Sequence, residues 1–307
     1  MKEKEKIVVI GSYAVGMTIR GNHFPKPGET VAGHDFQAME GGKGSNQAIA
    51  ASRLGASVCF GTCIGDDQFG KDALVMYEKE HIDFSHVRKS SEGLSTGVGL
   101  IYVNDSGENE IIIDFAANME YNREDIDAMM PLICDSKLVL MQLECDLDIV
   151  IYTAQKCKEA GITFVLNPAP YVELPNQLLK NCTYLIPNQT EARQILKLNK
   201  KEHISDEEVA ERLYDLGVEN VILTLGDRGA YIRNSSTKRF VSGHKVDTVD
   251  TTGAGDTFIG AFCVALAEGK NLIEAVEFGN KAAAISVTNY GVIDAIPTRE
   301  EVENFCF

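Results

Sequence analysis

Residues 138–166 read LVLMQLECDLDIVIYTAQKCKEAGITFVL, and this stretch indicates how the chain folds. The apolar run Leu138–Leu143 predicts a buried strand, and the helical spacing of apolar residues in Leu147–Ala160 predicts a helix. A second apolar run, Ile162–Leu166, predicts another strand. Buried strands that alternate with helices are typical of a parallel sheet.

The same alternation extends along most of the chain. We therefore expect an α/β fold, with a mainly parallel sheet covered by helices on both faces. Crossovers would be right-handed, and ligands would bind at the carboxyl ends of the strands. The other predicted strands are Lys6–Gly11, Ser57–Cys63, Tyr184–Pro187 and Val221–Leu225, and the other predicted helices are Ser45–Leu54, Gln68–Glu80, Glu207–Leu216, Ala254–Ala267 and Ile273–Val287.

Two segments, residues 12–40 and 95–117, depart from this alternation. The first shows little helical periodicity, and the second predicts a hairpin with strands Thr96–Val103 and Glu110–Phe115 around a polar turn. We expect both segments to form a small β-sheet lid beside a single α/β domain that spans residues 1–307.

Composition and charge restrict the partners of the chain. The formal net charge is −16, so a nucleic-acid backbone would be repelled. No apolar run approaches the roughly 20 residues that span a bilayer, and the charged N-terminus precedes too short an apolar run for a signal peptide. The eight cysteines contain no C-x-x-C pair, as in a reduced cytosolic protein. We expect a cytoplasmic protein without a nucleic-acid or membrane partner.

The first glycine-rich stretch is Gly41-Gly42-Lys43-Gly44-Ser45-Asn46-Gln47. Its glycines let the backbone approach a ligand, and the helix that follows offers free N–H groups. A P-loop is excluded, because Gln37 and Gly44 stand where that pattern requires a glycine and a hydroxyl residue. The stretch also fits a plain strand-to-helix turn capped by Ser45 or Asn46.

The second stretch is Asp250-Thr251-Thr252-Gly253-Ala254-Gly255-Asp256. It does not match a dinucleotide fingerprint, because Phe258 occupies the third glycine position. Glycines at a helix start can form a nest of amides that stabilises negative charge on a transferring phosphoryl group. Asp256 would then accept a proton from an attacking hydroxyl, although a helix N-cap is the alternative role.

Two shorter stretches follow predicted strands. Residues 187–191, PNQTE, fit a helix capping box, or a pair that holds magnesium through water by Asn188 and Glu191. Residues 224–229, TLGDRG, fit either a turn or a glycine-lined wall of a nucleotide site.

Together and in this order, the four stretches resemble the ribokinase-like (PfkB) carbohydrate kinase family. Residues 41–47 are similar to its N-terminal signature, and residues 250–256 to its C-terminal one. Residues 27–30, 141–144, 167–170 and 187–191 resemble ribokinase members in particular. The resemblance covers essentially the whole chain. It implies in-line transfer of the γ-phosphoryl group of Mg·ATP to a primary hydroxyl of a small sugar.

The resemblance also implies roles for individual residues. Asp256 would be the general base, and the amides of Gly253, Ala254 and Gly255 would form the anion hole. The sugar hydroxyls would be bound by Gly42, Lys43, Asn46, Glu144 and Asp256. Asn188 and Glu191 would serve the phosphates of Mg·ATP, and Thr224, Gly226, Gly229 and Asn280 would line the nucleotide pocket.

A monovalent cation, typically K⁺, is implied beside the anion hole. Its ligands would be the side chain of Asp250 and the carbonyls of Thr252, Ser286, Asn289 and Gly291. Ala295 stands where ribokinase supplies a serine hydroxyl, which weakens the expectation of a potassium requirement. The resemblance further implies a homodimer formed through exposed lid strands.

One departure from ribokinase concerns the sugar. Ribokinase binds its sugar with an Asn and an Asp in Gly-Ser-x-Asn-x-Asp, whereas this chain has Ala14 and Gly16 at those positions. Charge-assisted contacts are worth roughly 1.5–3 kcal/mol each, so their loss would weaken ribose binding by orders of magnitude. We expect a related or bulkier polyol, a modified sugar or, as the alternative, a nucleoside.

Two other protein classes fit the residues less well. A non-catalytic sugar-binding regulatory protein would show damage at the base, the anion hole or the nucleotide site, but those residues are all present. An NAD-dependent enzyme would carry a glycine fingerprint after the first strand, and only Gly11 and Gly16 stand there.

Overall fold

The computed structural model describes residues 4–199 and 202–305, which form two sheets surrounded by helices. The strands are β1 Lys6–Ile10, β2 Ala14–Arg20, β3 His34–Gly41, β4 Ser57–Ile64, β5 Asp83–Lys89, β6 Gly97–Val103, β7 Asn109–Asp114, β8 Leu138–Met141, β9 Thr163–Leu166, β10 Tyr184–Leu185, β11 Asn220–Thr224, β12 Gly229–Arg233 and β13 Lys238–Ser242.

Most helices alternate with strands. The helices are α1 Lys43–Arg53, α2 Gln68–Lys79, α3 Arg123–Asp135, α4 Leu147–Ala160, α5 Asn176–Asn181, α6 Gln189–Ile195, α7 Asp206–Asp215, α8 Ala254–Ala267, α9 Leu272–Ser286 and α10 Arg299–Asn304. However, α6 and α7 are consecutive, as are α8, α9 and α10. Two short 3₁₀ turns lie at Ala116–Glu120 and Gly226–Arg228.

The large sheet has nine strands in the order β13-β12-β11-β10-β9-β8-β1-β4-β5. Pairing is parallel from β5 to β11, and antiparallel for β11–β12 and β12–β13. The predicted α/β fold with a mainly parallel sheet is therefore confirmed.

The core is divided by the large sheet into two layers. Alternate residues of β1 point to opposite faces: Ile7 and Val9 pack into one cluster, Val8 and Ile10 into the other. One cluster contains the buried faces of α1, α2, α8 and α9, and the other contains those of α3, α4 and α7. Helices therefore cover both faces, which explains why the central strands are apolar throughout.

The small sheet has four strands in the order β3-β2-β6-β7. It is formed by the two segments that departed from the helix–strand alternation. The predicted hairpin is present as β6 and β7, which pair antiparallel from Val98–Asp114 to Val103–Asn109. Strand β2 pairs with β6 in parallel and with β3 in antiparallel orientation.

Several features were not predicted from the sequence, among them strand β5, the β12–β13 hairpin and helices α3, α5 and α10. Strand β5 extends the large sheet at one edge, and the β12–β13 hairpin extends it at the other. Helix α3 contains Pro131, a residue that usually interrupts helices, but it buries Ile126, Met129 and Ile133 and begins with a capping box at Asn122. Burial of its apolar face outweighs the effect of the proline.

Element boundaries differ from the predicted ones by a few residues. Helix α1 begins two residues before Ser45, because Gly42 adopts φ 91° and acts as its N-cap. The predicted strand Tyr184–Pro187 is only two residues long, since β10 ends at Leu185.

The cysteines are largely buried, as their apolar neighbours suggested. Of the seven in the described residues, all unpaired, only Cys134 is exposed, whereas Cys306 lies outside the described residues. Burial raises the pKa of Cys59 and of Cys63 to about 12, which keeps both thiols protonated and unreactive. Within residues 4–199 and 202–305, no helix combines the length and apolarity needed to cross a membrane.

Candidate active site

Asp256 lies in the first turn of α8 and is 7% exposed. Two amides from α1 hold its carboxylate: Asn46 Nδ2 donates to Oδ2 at 2.9 Å, and Gln47 Nε2 donates to Oδ1 at 2.8 Å. The N-terminal signature and the C-terminal signature therefore meet at this carboxylate. The helix N-cap is Gly253, so Asp256 does not serve as the cap.

The carboxylate of Asp256 borders a cavity of about 210 Å³. This cavity lies where β9, β10 and β11 end, the edge at which the sequence predicted ligand binding. The predicted site residues that line it are Lys43, Asn188, Glu191, Thr224, Gly253, Gly255 and Asp256. Asn167, Ala169, Ile186 and Ile259 complete its wall.

Lys43 supplies a positive charge within this acidic protein. The pKa of Lys43 is raised, mainly by the carboxylate of Asp256. Burial lowers this pKa, whereas the charges of Glu144 and Glu191 raise it further. Burial is the main cause that raises the pKa of Glu191; the Asn188 N–H and Lys43 oppose this effect. Lys43 therefore remains protonated at neutral pH, beside carboxylates that anionic phosphates would otherwise avoid.

Glu144 is anchored at the start of α1. Its Oε2 accepts a hydrogen bond from the Lys43 backbone N–H at 2.8 Å and another from Ser12 Oγ at 2.5 Å. Gly42 is required here, since a Cβ at this residue would lie 2.8 Å from backbone atoms of the incoming β2 segment. The predicted sugar-binding residues Gly42, Lys43, Asn46 and Glu144 are thus brought together around one helix start.

The glycine-rich turn before α8 has the conformation that a side chain would prevent. Gly253 is left-handed, with φ 75°, and a Cβ there would lie 2.7 Å from Val292 Cγ1. A Cβ added to Gly255 would have no other atom within 4 Å, so this residue leaves open space beside the cavity. The Ala254 N–H donates to the Thr251 carbonyl at 3.3 Å, so this predicted anion-hole amide already has a protein partner.

The residues proposed to hold a monovalent cation belong to two adjoining loops. Asp250 Oδ1 accepts from the Thr252 N–H at 2.9 Å, and Asp250 Oδ2 accepts from the Gly291 N–H at 3.2 Å. Ser286 ends α9, and its carbonyl accepts from the Asn289 N–H at 3.2 Å. Asp250 therefore ties the loop before α8 to the loop that follows α9.

The donor atoms of these loops fit a hard cation, which prefers carboxylate and carbonyl oxygens. Ala295 is buried and supplies no hydroxyl. For magnesium, the residues described contain no group of three or more His, Cys, Asp or Glu side chains that could hold a metal. A magnesium ion would therefore depend on few protein oxygens, together with phosphates and water, as it commonly does.

Asn188 and Glu191 form a capping box at the start of α6. Asn188 caps α6, and Glu191 accepts hydrogen bonds from the Asn188 N–H at 2.9 Å and from its Nδ2 at 2.8 Å. The predicted capping box is confirmed, and the same two residues line the Asp256 cavity.

Three predicted nucleotide-pocket residues lie away from that cavity wall. Gly226 and Gly229 form the turn between β11 and β12, beyond Thr224 at the end of β11. Asn280 is buried on α9, where its Nδ2 donates to the Ser242 carbonyl at 3.1 Å. It joins α9 to β13, next to the turn that contains the two glycines.

A larger cavity, about 350 Å³, is lined in part by strands β2 and β3 of the small sheet. Its wall includes Tyr13, Glu40, Asp72 and Asp294, and burial followed by the charge of Asp72 raises the pKa of Glu40. Apart from Gly291, it contains none of the predicted site residues. The convergence of Lys43, Glu191 and Asp256 therefore identifies the smaller cavity as the candidate active site.

No individual role was assigned from the sequence to four polar residues in the hydrogen-bond networks of Glu144 and Asp256. They are Ser12, Gln47, Gln142 and Asn167, and all are buried. Gln142 directly follows β8, and Asn167 directly follows β9. A polar residue immediately after an apolar strand was the signal that could have identified them.

Comparison with known proteins identifies the family. The model of the pfkB family carbohydrate kinases matches residues 4–299. The chain belongs to this family. It is a ribokinase-family carbohydrate kinase, that is, an ATP-using phosphotransferase, as the resemblance of its signatures predicted.

The relatives of this kinase match it along almost its entire length. It is 40% identical to the ribokinase of Haemophilus influenzae over 98% of each chain, and 34% identical to the deoxyribokinase of Salmonella typhi over 97% of this chain and 98% of the relative. The ribokinase of Arabidopsis thaliana, solved with ribose and ATP, superposes with a TM-score of 0.91 at 29% identity, covering 99% of this kinase and all of that chain.

Proposed function

We propose that this kinase moves the γ-phosphoryl group of Mg·ATP to a primary hydroxyl of a small sugar, with Asp256 as the general base. The observation that carries the proposal is the Asp256 carboxylate, held by Asn46 and Gln47 at the wall of the cavity that also contains Lys43 and Glu191. A carboxylate held in place beside the charged Lys43 side chain and the glycine-rich turn at Gly253 and Gly255 is suited to in-line phosphoryl transfer.

The acceptor would lie between the start of α1 and Asp256. Gly42, Lys43, Asn46 and Glu144 would bind its hydroxyls, and Asp256 would take the proton of the attacking hydroxyl. Asn46 Oδ1 is buried without a partner among the described residues, which leaves an acceptor atom for a sugar hydroxyl.

The phosphates would lie at the turn before α8. The amides of Gly253, Ala254 and Gly255 would stabilise charge on the transferring group; that of Ala254 would have to exchange its bond with Thr251. Thr224, Gly226, Gly229 and Asn280 would line the nucleotide site. Asn188 and Glu191 would hold magnesium through water, and bound magnesium would neutralise charge on the phosphates.

The acceptor is proposed to differ from plain ribose. Ala14 and Gly16 lie on the same face of β2. Gly41 on β3 is the partner of Ala14, and a Cβ at Gly41 would lie 3.9 Å from Asn46 Oδ1, so this face is directed toward Asn46. Neither residue offers a polar side chain there. A related or bulkier polyol or a modified sugar is the proposed acceptor, with a nucleoside as the alternative.

The deciding experiment is an ATP-consumption screen of the purified enzyme. The panel contains pentoses, hexoses, ketoses, deoxysugars and nucleosides. The expected result is rapid turnover of a sugar other than ribose. Ribose turnover with an ordinary micromolar-to-millimolar KM would overturn the specificity proposal, and turnover of no compound would overturn the kinase mechanism.

The remaining proposals concern organisation. The chain is proposed to form one domain whose small sheet acts as a lid, to function in the cytoplasm, and to bind K⁺ between the loops joined by Asp250. A homodimer through the lid is supported by exposed apolar residues on its outer face, among them Phe36, Leu100 and Ile112.

A further inference from the structure

Three buried amides form a continuous hydrogen-bonded chain behind Asp256. Gln142 Nε2 donates to Gln47 Oε1 at 2.6 Å. Gln47 Nε2 donates both to Asp256 Oδ1 at 2.8 Å and to Asn167 Oδ1 at 3.1 Å. Asn167 Nδ2 donates in turn to the Ile186 carbonyl at 3.2 Å. Gln47 and Gln142 are fully buried, so water does not compete for these bonds.

The orientation of each amide is determined by the fixed groups at the ends of the chain. The Ile186 carbonyl only accepts, so the nitrogen of Asn167 faces it and the oxygen of Asn167 faces Gln47. Gln47 then meets two oxygens, those of Asn167 and Asp256, and turns its nitrogen to both. Its oxygen consequently faces Gln142, which must donate. A reversed Gln47 amide would place its oxygen against the carboxylate of Asp256.

Gln142 is difficult to explain by stability alone. Its Oε1 has no hydrogen-bond partner in residues 4–199 and 202–305, and leaving such an atom buried is unfavourable. Glycine at position 11 leaves space for the Oε1 atom of Gln142, because a Cβ at Gly11 would lie 2.0 Å from this oxygen. An apolar side chain of equal length would remove the unsatisfied atom. An apolar residue would, however, lack the Nε2 group that donates a hydrogen bond to Gln47.

We propose that Gln142 is a positioning residue for the phosphoryl transfer: through Gln47, it fixes the orientation of the Asp256 carboxylate. This inference rests on the proposed role of Asp256 as the base. Gln142 does not line the cavity, and in the described residues its side chain hydrogen-bonds only to Gln47, so its effect on Asp256 passes through the Gln47 amide. A catalytic group loses efficiency when its geometry departs by a few tenths of an ångström, which is why a buried supporting amide affects the rate.

The test compares Gln142→Met, Gln47→Met and the double variant, with the fastest-reacting member of the sugar and nucleoside panel as acceptor. We expect Gln142→Met to lower kcat about tenfold with an unchanged KM for ATP and an unchanged or slightly higher Tm. In the Gln47→Met background, the second substitution should cause no further loss. An unchanged kcat in Gln142→Met, or the same loss in both backgrounds, would overturn the inference.

Asn220→Leu is the matched control. Asn220 is also a buried amide with two partners, the Thr183 carbonyl and Asn234, but it begins β11 and therefore lies at the opposite edge of the sheet. We expect this variant to lower Tm and leave kcat unchanged. If kcat falls as much as in Gln142→Met, general destabilisation explains both effects and the inference is wrong.

A measurement without acceptor separates this inference from the proposed function. Side-chain amide resonances of ¹⁵N-labelled enzyme are assigned to Gln47 by their loss in Gln47→Met. We expect Gln142→Met to shift the Gln47 signals and to accelerate their hydrogen exchange at least tenfold. Unchanged Gln47 signals would overturn the inference even if the kinase is active. If the wild type phosphorylates no panel compound, the proposed function fails, and the amide signals alone decide whether Gln142 orients Gln47.

Discussion

Gly16 and Gly99 lie opposite each other on the parallel strands β2 and β6, so the small sheet carries no side chain at either position. A Cβ at Gly16 would meet only ordinary contacts, Ile101 Cδ1 at 3.7 Å and the Met39 carbonyl at 3.8 Å. The space that a polar sugar-binding residue would need at position 16 is therefore available.

This relationship yields a prediction about acceptor specificity. Ala14→Asn/Gly16→Asp restores two polar groups on the lid face directed toward Asn46, and each charge-assisted contact is worth roughly 1.5–3 kcal/mol. We expect kcat/KM for ribose to rise by about a hundredfold or more, measured by coupled ADP release. The control Ala14→Val/Gly16→Val occupies similar space without polar atoms and should give no gain. An equal gain in both variants would show that shape, rather than hydrogen bonding, limits ribose turnover.

Replacement of the proposed base is the second prediction. Asp256→Asn keeps the volume of the side chain but removes its basicity, so kcat should fall by roughly a hundredfold or more. ATP binding, measured by calorimetry, should change little, since Thr224 and the turn at residues 226–229 are untouched. A kcat within a few-fold of the wild type would remove Asp256 from the role of base.

The sequence predicted the framework of this site better than its interior. Helices Leu147–Ala160 and Ala254–Ala267 were predicted to the residue, because apolar periodicity and flanking glycines are local signals. The glycine-rich stretches likewise predicted that Lys43 and Asp256 lie at helix starts. The contact between Gln142 and Gln47 joins residues 95 positions apart, and no local pattern encodes such a meeting. The β12–β13 hairpin was not predicted because these strands follow β11 without an intervening α-helix, whereas the prediction relied on strands that alternate with helices.

The third prediction concerns pH and stability near the lid. Glu120 accepts hydrogen bonds from Ser90, Ser91 and Arg88, and these contacts lower its pKa from 4.5 to about 2, with the hydroxyls of Ser90 and Ser91 as the largest causes. A carboxylate with a lowered pKa in the folded state stabilises the protein above its unfolded pKa, and this contribution is lost as pH falls toward 2.

Glu120→Gln should therefore lower the free energy of unfolding by about 1–2 kcal/mol at pH 7, as measured by urea denaturation. The difference from the wild type should stay constant between pH 7 and 5 and shrink progressively below pH 4.5. A difference that remains constant down to pH 3 would contradict a stabilising role for the ionised carboxylate.

The last prediction concerns assembly through the lid. Ala38, Met17, Leu100 and Ile112 form one row across the small sheet, since each is paired with the next on neighbouring strands. Leu100 on the inner strand β6 is 52% exposed, and Ile112 on the edge strand β7 is 73% exposed, so two adjacent large apolar side chains face solvent. A second copy of the lid would cover this row.

Ile112→Glu places a charge in that row and should convert a dimer into a monomer in sedimentation-velocity experiments, because a charge buried at an interface without a partner is strongly unfavourable. Val75→Glu is the matched control, since Val75 is 66% exposed on α2, outside the lid. It should leave the sedimentation coefficient unchanged. A wild type that sediments as a monomer at all concentrations tested, or dissociation by both variants alike, would rule out the lid as the dimer interface.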